Sequence, residues 1–379
     1  MFEMNFEIDI NDLLMQEKAK NNSASPVNLK IKSAEGSFLI DENNKQYLDL
    51  TSNKECNPLG YSYINKADTG FLFDSELFQT SDSIELENQL KYITGMNNTI
   101  FTSCKAESHD VCRNLIKKYL PLNNKSKILI SSTSLKHSQY ILEDVLTDII
   151  PLNDEIIAKS LLTKAVGAVI VEIAQIDNEI NIATSEYLNI LQELCKRNNA
   201  LLVIDASSLS PFRTFNGLFN FDSSLIKPDI LIISNSVSHG IPFGAVLLSD
   251  KLDKIQGTAS TIFAYKSALK FITECSKSDS SDIIKSNALY FEKALNTLAE
   301  KYITIADVIP YGMLFAVILD ISAYDFTNAC FDEGIIIEAL NSYTIKLSPP
   351  YNISREEIDK LIISFEKVFD KLARYDRLN

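Results

Sequence analysis

Glycine is scarce in this chain: eleven residues in 379, less than half of the ~7% typical of proteins. A backbone that wraps closely round a phosphate usually needs glycine where it meets the ligand, so the shortage counts against an ordinary phosphate cradle. Positive charge is short as well. The 36 Lys and Arg are outnumbered by 50 Asp and Glu, for a net charge of −14 and a pI of about 4.8. This balance excludes a nucleic-acid footprint, which needs a basic face, and adhesion to an anionic membrane. No apolar run approaches the ~20 residues of a membrane span. The longest, Ala165 to Val171, ends at Glu172 and reads as a buried strand. The N-terminus, Met1 to Lys18, is acidic where a signal peptide would be basic, and it has no apolar core. Six cysteines (Cys56, Cys104, Cys112, Cys195, Cys275 and Cys330) show no CxxC spacing, which points to reduced thiols rather than a disulfide framework or zinc site. His109, His137 and His239 lie far apart, so a histidine metal site is not expected. A soluble cytoplasmic protein is the expectation.

What is present is alternation on a chain long enough for two packed lobes. Residues 28–50 alternate apolar and polar around Asn43-Asn44, which predicts a hairpin. Lys127–Ser131, Ala165–Glu172, Ala200–Asp205, Asp229–Ser234 and Phe243–Leu248 are short, nearly continuous apolar runs, the pattern of strands covered on both faces. Helical stretches separate them. In Ser185–Arg197, Leu188, Leu191, Leu194 and Cys195 recur at helical spacing behind Thr184, a capping residue. Alternating β and α with buried strands means an α/β fold around a largely parallel, doubly wound sheet. Past Gly257 come two long helices (about 261–276 and 281–302) and strands near Gly312–Leu319 and Tyr343–Leu347. A last amphipathic helix runs from Ser354 to about Ala373. The expected division is 1–50 as the N-terminal part of a small α+β domain, 51–256 as a large domain, and 257–379 as the rest of the small one.

Several segments then stand in a telling order. They are Gly36 to Asp41 with Tyr47-Leu48-Asp49-Leu50, Leu59-Gly60-Tyr61, Val171 to Gln175, and Leu202 to Asp205 with Arg213-Thr214. Lys227-Pro228-Asp229-Ile230, Gly240 to Ala245, and Ile345 to Pro350 with Arg355 to Asp359 follow. Their order and spacing resemble the class III aminotransferases, above all the acetylornithine/ornithine branch, over roughly residues 30–372. The resemblance implies a fold-type-I, pyridoxal-phosphate (PLP) transferase of amino-acid metabolism, dimeric, with a mostly parallel sheet in its large domain.

In that family one lysine carries the coenzyme as an imine and moves the proton. It stands five residues before the glycine that opens G-x-P-x-G-A. Here that glycine is Gly240 and the position is Asn235, whose carboxamide forms no imine and has no useful basicity. Losing a general base costs ~10²–10⁴-fold, and losing covalent catalysis costs more. The nearest lysines are Lys227, before the preceding strand, and Lys251, beyond the following one.

Other family positions are altered too. Asp205 ends a buried strand where ligands sit in open α/β sheets; the resemblance gives it the pyridine-nitrogen position, and capping of the next turn is the other reading. Ser208 replaces the glutamine that meets the ring oxygen. Cys104, Lys105 and Ala106 fall on the phosphate loop at a helix start. Lys105 either attracts an anion or is a solvated side chain filling a vacated pocket; Cys104 is either an activated thiol or an inert one. Leu135 takes the place of the stacking aromatic. Thr258 or Thr261 stands in for the threonine that reaches the neighbouring subunit's phosphate. Lys346 replaces the arginine that clamps a substrate carboxylate, keeping charge but not the bidentate fork. Glu172 and Gln175 are retained, as site or as sheet-edge residues. His239 is either a replacement acid/base or a structural turn residue.

These substitutions fall on imine, ring, phosphate and carboxylate contacts, while strand cores and spacing persist. The implied protein is a pseudoenzyme that keeps the family scaffold, as a homodimer or beside an active paralogue. PLP would be bound noncovalently or not at all, and a small amino-acid-like molecule is the candidate ligand. The alternative is a PLP- or pyridoxamine-phosphate-dependent aminotransferase that works through a displaced base.

Overall fold

The structure is a computed structural model that describes residues 29–61, 80–131, 140, 142, 145–253 and 260–375. It opens with a meander of β1 (Ile31–Glu35), β2 (Phe38–Asp41) and β3 (Gln46–Asp49). Asn44, at φ 63, makes the β2–β3 turn, as the Asn-Asn pair predicts. Helix α1 (Ser81–Thr94) leads to β4 (Asn98–Thr102), α2 (Lys105–Leu122), β5 (Lys127–Ser131) and β6 (Leu146–Ile150). Next come α3 (Glu155–Leu161), β7 (Val166–Glu172), a small hairpin of β8 (Ala174–Ile176) and β9 (Ile180–Ile182), and α4 (Ser185–Asn198). Then β10 (Leu201–Asp205), β11 (Ile230–Ser234) and β12 (Gly244–Leu248) complete the central part.

The seven-stranded sheet has the order β4-β12-β11-β10-β7-β5-β6. Its pairings are parallel from β11 through β6, while β12 runs antiparallel to both β11 and β4. Successive residues face opposite sides, the period of two that a strand imposes. Leu202, Ile204, Leu231 and Ile233 join one core, and Leu201, Val203, Ile230 and Ile232 the other. Both faces are covered, which explains the unbroken apolar runs. Sequence pattern misses β4 and β6. The first, Asn98-Thr-Ile-Phe-Thr, is half polar, and β6 is an edge strand with Leu146 and Ile149 exposed.

Beyond the sheet lie α5 (Ile262–Cys275), α6 (Ser278–Lys301), β13 (Ile305–Pro310), β14 (Phe315–Leu319) and α7 (Ala323–Asp332). The chain closes with β15 (Ile335–Ile336), β16 (Glu338–Ala339), β17 (Thr344–Leu347) and α8 (Arg355–Tyr375). Leu48 and Leu50 from the N-terminal part share a core with Phe291, Phe315, Phe326 and Phe365, and β15 pairs with β3. Two distant stretches of chain thus build one hydrophobic unit.

Candidate functional site

Parallel strands β7 and β10 place Glu172 directly beside Asp205 at their carboxyl ends. Asp205 is fully buried. Its Oδ2 meets His109 Nε2 at 3.1 Å and accepts the Tyr140 hydroxyl, while Oδ1 accepts the Ser207 backbone N–H at 2.8 Å. Burial alone would raise its pKa. The His109 hydrogen bond, the Lys105 charge and the Ser207 contact outweigh it and hold the carboxyl well below the usual range. Burial and Asp205 together push the Tyr140 phenol far up, so it stays a donor. Glu172 goes the other way: burial first, then the charge of Asp205, push it up to about 7 against the pull of Lys105.

Helix α2 starts immediately behind this pair. Its N-cap, Cys104, makes no side-chain capping bond, so the positive end of the helix is not closed off by its own cap residue. Gly244 explains how closely the start packs: a Cβ there would sit 2.3 Å from Ser108 Oγ, 2.4 Å from Thr102 Oγ1 and 2.8 Å from the Cys104 carbonyl oxygen.

Asn235 directly follows β11. Its Nδ2 donates to Cys56 Sγ at 3.3 Å, and its backbone carbonyl accepts from the N–H groups of Ser238 and Gly240. Burial pushes the Cys56 thiol up. Lys227 and Lys251 both lie at the other end of β11, beside Ser223 and Asp229. Five strand residues at ~3.3 Å each put them roughly 16 Å from Asn235. Neither lysine reaches that position.

Cys56 is delivered by an unusual turn. Ser52, Asn53, Lys54 and Glu55 have φ of 48, 53, 51 and 69, a left-handed turn that costs ~1–2 kcal/mol per non-glycine residue. Asp49 holds it: Oδ1 accepts Thr51 N and Oγ1 at 2.8 and 2.7 Å, and Oδ2 accepts Asn53 N and the Tyr61 hydroxyl at 2.9 and 2.5 Å. Glu55 then points inward, where Oε2 meets Arg213 Nε at 2.9 Å and Ser210 Oγ at 2.6 Å. Arg213 also donates to the carbonyls of Met313 and Pro349 and lies 4.5 Å from the Tyr351 ring centroid.

Comparison with known proteins now decides the family. The description Aminotransferase class-III matches residues 124–369. The chain belongs to the class III aminotransferases. It is 24% identical over 370 residues to the acetylornithine aminotransferase of Methanocaldococcus jannaschii, covering 89% of this chain and 93% of that one. With the Clostridium acetobutylicum enzyme of the same name, identity is 25% over 378 residues, covering 91% and 97%. The structure of N-acetylornithine aminotransferase from Stenotrophomonas maltophilia superposes with a TM-score of 0.80 at 16% identity, over 95% of this chain and 99% of that chain. Ornithine aminotransferase from Toxoplasma gondii gives 0.79 at 20%, covering 96% of each. The α/β, fold-type-I expectation therefore holds.

Against the family motifs, the class III scaffold gathers Asn235, Asp205, Glu172 and Lys105 around one set of strand ends. Cys104 and Ala106 lie exposed at the start of α2 and Lys105 is half-buried. Ser208 Oγ donates to the Ala174 carbonyl at 2.8 Å, and Gln175 Nε2 to that of Ser131 at 2.7 Å. Lys346 is buried and forms an ion pair with Glu338 at 2.6 Å. His239 stands in a left-handed turn at φ 53, edge-on to Phe271; burial, then Lys270, lowers its pKa to about 3. Its ring is neutral at ordinary pH. Leu135 and Thr258 lie outside the described residues. Sequence reasoning missed Tyr140, Cys56 and Glu55, and gave His109 no role beyond noting that the histidines lie too far apart for a metal site. The spacing of His109, four residues after Lys105 on α2, was the available signal that both share a helix face. Among the described residues no cluster of three His, Cys, Asp or Glu could hold a metal, and no helix is long and apolar enough to cross a membrane.

Proposed function

We propose that this class III family member is a noncatalytic protein on the aminotransferase scaffold, a binding or partner subunit in which no lysine carries a coenzyme imine. The observation that carries this reading is Asn235, seated directly after β11 with its amide donating to Cys56. PLP, the family coenzyme, makes three demands: an amine for its aldehyde, an anion for its ring nitrogen, and donors for its phosphate. A carboxamide does not meet the first. Asp205 is ionised, but three protein donors already occupy its oxygens. Only the first turn of α2 suits its demand. These residues do not fit a covalently held coenzyme.

The same economy extends to the carboxylate position, where Glu338 takes the charge of Lys346. Asp205 and Lys346 are thus both engaged by the chain's own groups. An intact scaffold with a self-satisfied centre suits a homodimer or a heterodimer with an active paralogue, holding a small amino-acid-like ligand if it holds one. Co-purification and light scattering distinguish the two assemblies.

The direct test adds PLP to the purified protein. An imine absorbs near ~420 nm; the expected result is no such band and no pyridoxyl-lysine after borohydride reduction. A reduced adduct mapped to Lys105 or to any other lysine overturns the reading in favour of an enzyme with a displaced base.

A further inference from the structure

Tyr140 brings a planar aromatic ring with a single donor to a wholly buried acid. Its hydroxyl donates to Asp205 Oδ2, the oxygen that also lies 3.1 Å from His109 Nε2, and it stands 3.4 Å from that same imidazole nitrogen. The His109 and Tyr140 rings meet edge-on, with centroids 5.1 Å apart at 61°. Both side chains are buried, and the phenol shares a core with Ile128, Ile130, Ala168, Ile170 and Val203. The Ser207 N–H closes the set on Oδ1, so the acid faces donors from three separate segments, as a carboxylate does. A buried tyrosine hydroxyl usually finds a partner. Here that partner is the acid at the carboxyl end of β10, where ligands sit in open α/β sheets.

We infer that Tyr140 is the resident occupant of a ring site on Asp205: from within the chain, its phenol takes the space and the hydrogen bond that a protonated, planar nitrogen heterocycle would take. Such a ring has the width of a phenol and presents one N–H where Tyr140 presents its O–H. Tyr140 thereby gives the noncatalytic reading, on which its role rests, a second physical cause. Besides lacking an amine at Asn235, the centre offers a ring nitrogen only an acid that is enclosed and already taken. Removing the phenol should leave an aromatic-sized gap with apolar walls and one acceptor, and gaps of that kind bind small rings.

The test uses the full-length protein and 4-aminopyridine, which carries a ring N–H cation at neutral pH and has no aldehyde, so no imine enters the result. Binding is read by ligand-detected nuclear magnetic resonance and by thermal shift. The wild type should not bind the probe, whereas Tyr140→Ala should. That variant should also prefer it by about tenfold or more over toluene, which fills the same gap without a donor. Tyr140→Phe keeps the ring, loses only the hydroxyl and should bind neither molecule. Tyr140→Val, which opens a smaller gap for imidazole, gives the same reading should the alanine variant not fold. Binding by the wild type or by Tyr140→Phe that matches Tyr140→Ala, no binding by the folded variant, or equal affinity for toluene overturns the assignment. The two failures stay distinct: a pyridoxyl-lysine adduct speaks against the noncatalytic reading, whereas these affinities speak only to Tyr140.

Discussion

Asp205 and Glu55 are both buried carboxylates, and both are held below the usual carboxylate range, yet their surroundings differ. Asp205 sits among a phenol, an imidazole and a backbone N–H at the end of β10. Glu55 is locked to the guanidinium of Arg213, and Arg213 in turn grips Met313 and Pro349. The first arrangement gathers donors from α2, Tyr140 and the turn after β10 onto one acid; the second ties the left-handed turn, the loop after β10 and the C-terminal strands together. The difference teaches where the fold can tolerate change. An acid held by several hydrogen bonds can lose one donor and keep others, whereas Glu55 would lose in Arg213 the larger of the two cations that hold it, ahead of Lys346.

The largest effect should come from the Glu55 side. Arg213→Met leaves the carboxylate without its guanidinium and should cost about 3–5 kcal/mol in denaturant unfolding at pH 7. A loss no greater than that of the Asp205 variants would erase the contrast. Second comes pH. The Glu172 pKa rises on folding from 4.5 to about 7, so its contribution is complete below the unfolded value and is lost as pH climbs through about 7. The Glu55 pKa falls on folding, so its contribution is complete above the unfolded value and is lost only on acidification. Unfolding free energies at pH 5 and 8 should therefore differ less in Glu172→Gln than in the wild type, by the order of 2–3 kcal/mol. Equal slopes would refute the assignment of the proton to Glu172.

Smaller effects sharpen the Asp205 side. Tyr140→Phe removes one donor to a charged oxygen that keeps His109 and should cost about 1–3 kcal/mol, read from the same unfolding curves. Cys56→Ala removes two weak sulfur contacts, with the Asn235 amide and with the Lys54 carbonyl, and should cost under about 1 kcal/mol. If Cys56→Ala proved as damaging as Tyr140→Phe, the thiol contact would hold more of the site together than its chemistry suggests.

Much of this was legible in the amino-acid order. The apolar runs marked β5, β7, β10, β11 and β12 because strands covered on both faces leave no polar alternation to read. Gly240 marked a position through the family resemblance: counting back from it by the family's spacing reaches Asn235, the residue that the structure seats directly after β11. The helix behind Thr184 announced itself through its cap, whose hydroxyl accepts the Tyr187 N–H. The edge strand β6 did not, since an exposed strand carries a mixed pattern. Tyr140 was equally silent. It belongs to no periodic segment, and nothing local to it says that it faces Asp205, 65 residues away.

The order of residues, taken alone, determined the α/β class through periodicity, and its ordered motifs carried the resemblance to the class III family that the comparisons bear out. Which groups satisfy Asp205, how Glu55 comes to lie against Arg213, and why Lys346 is engaged by Glu338 were decided in space. Those pairings join residues from separate elements, and their energies depend on burial and on distances that no linear pattern encodes.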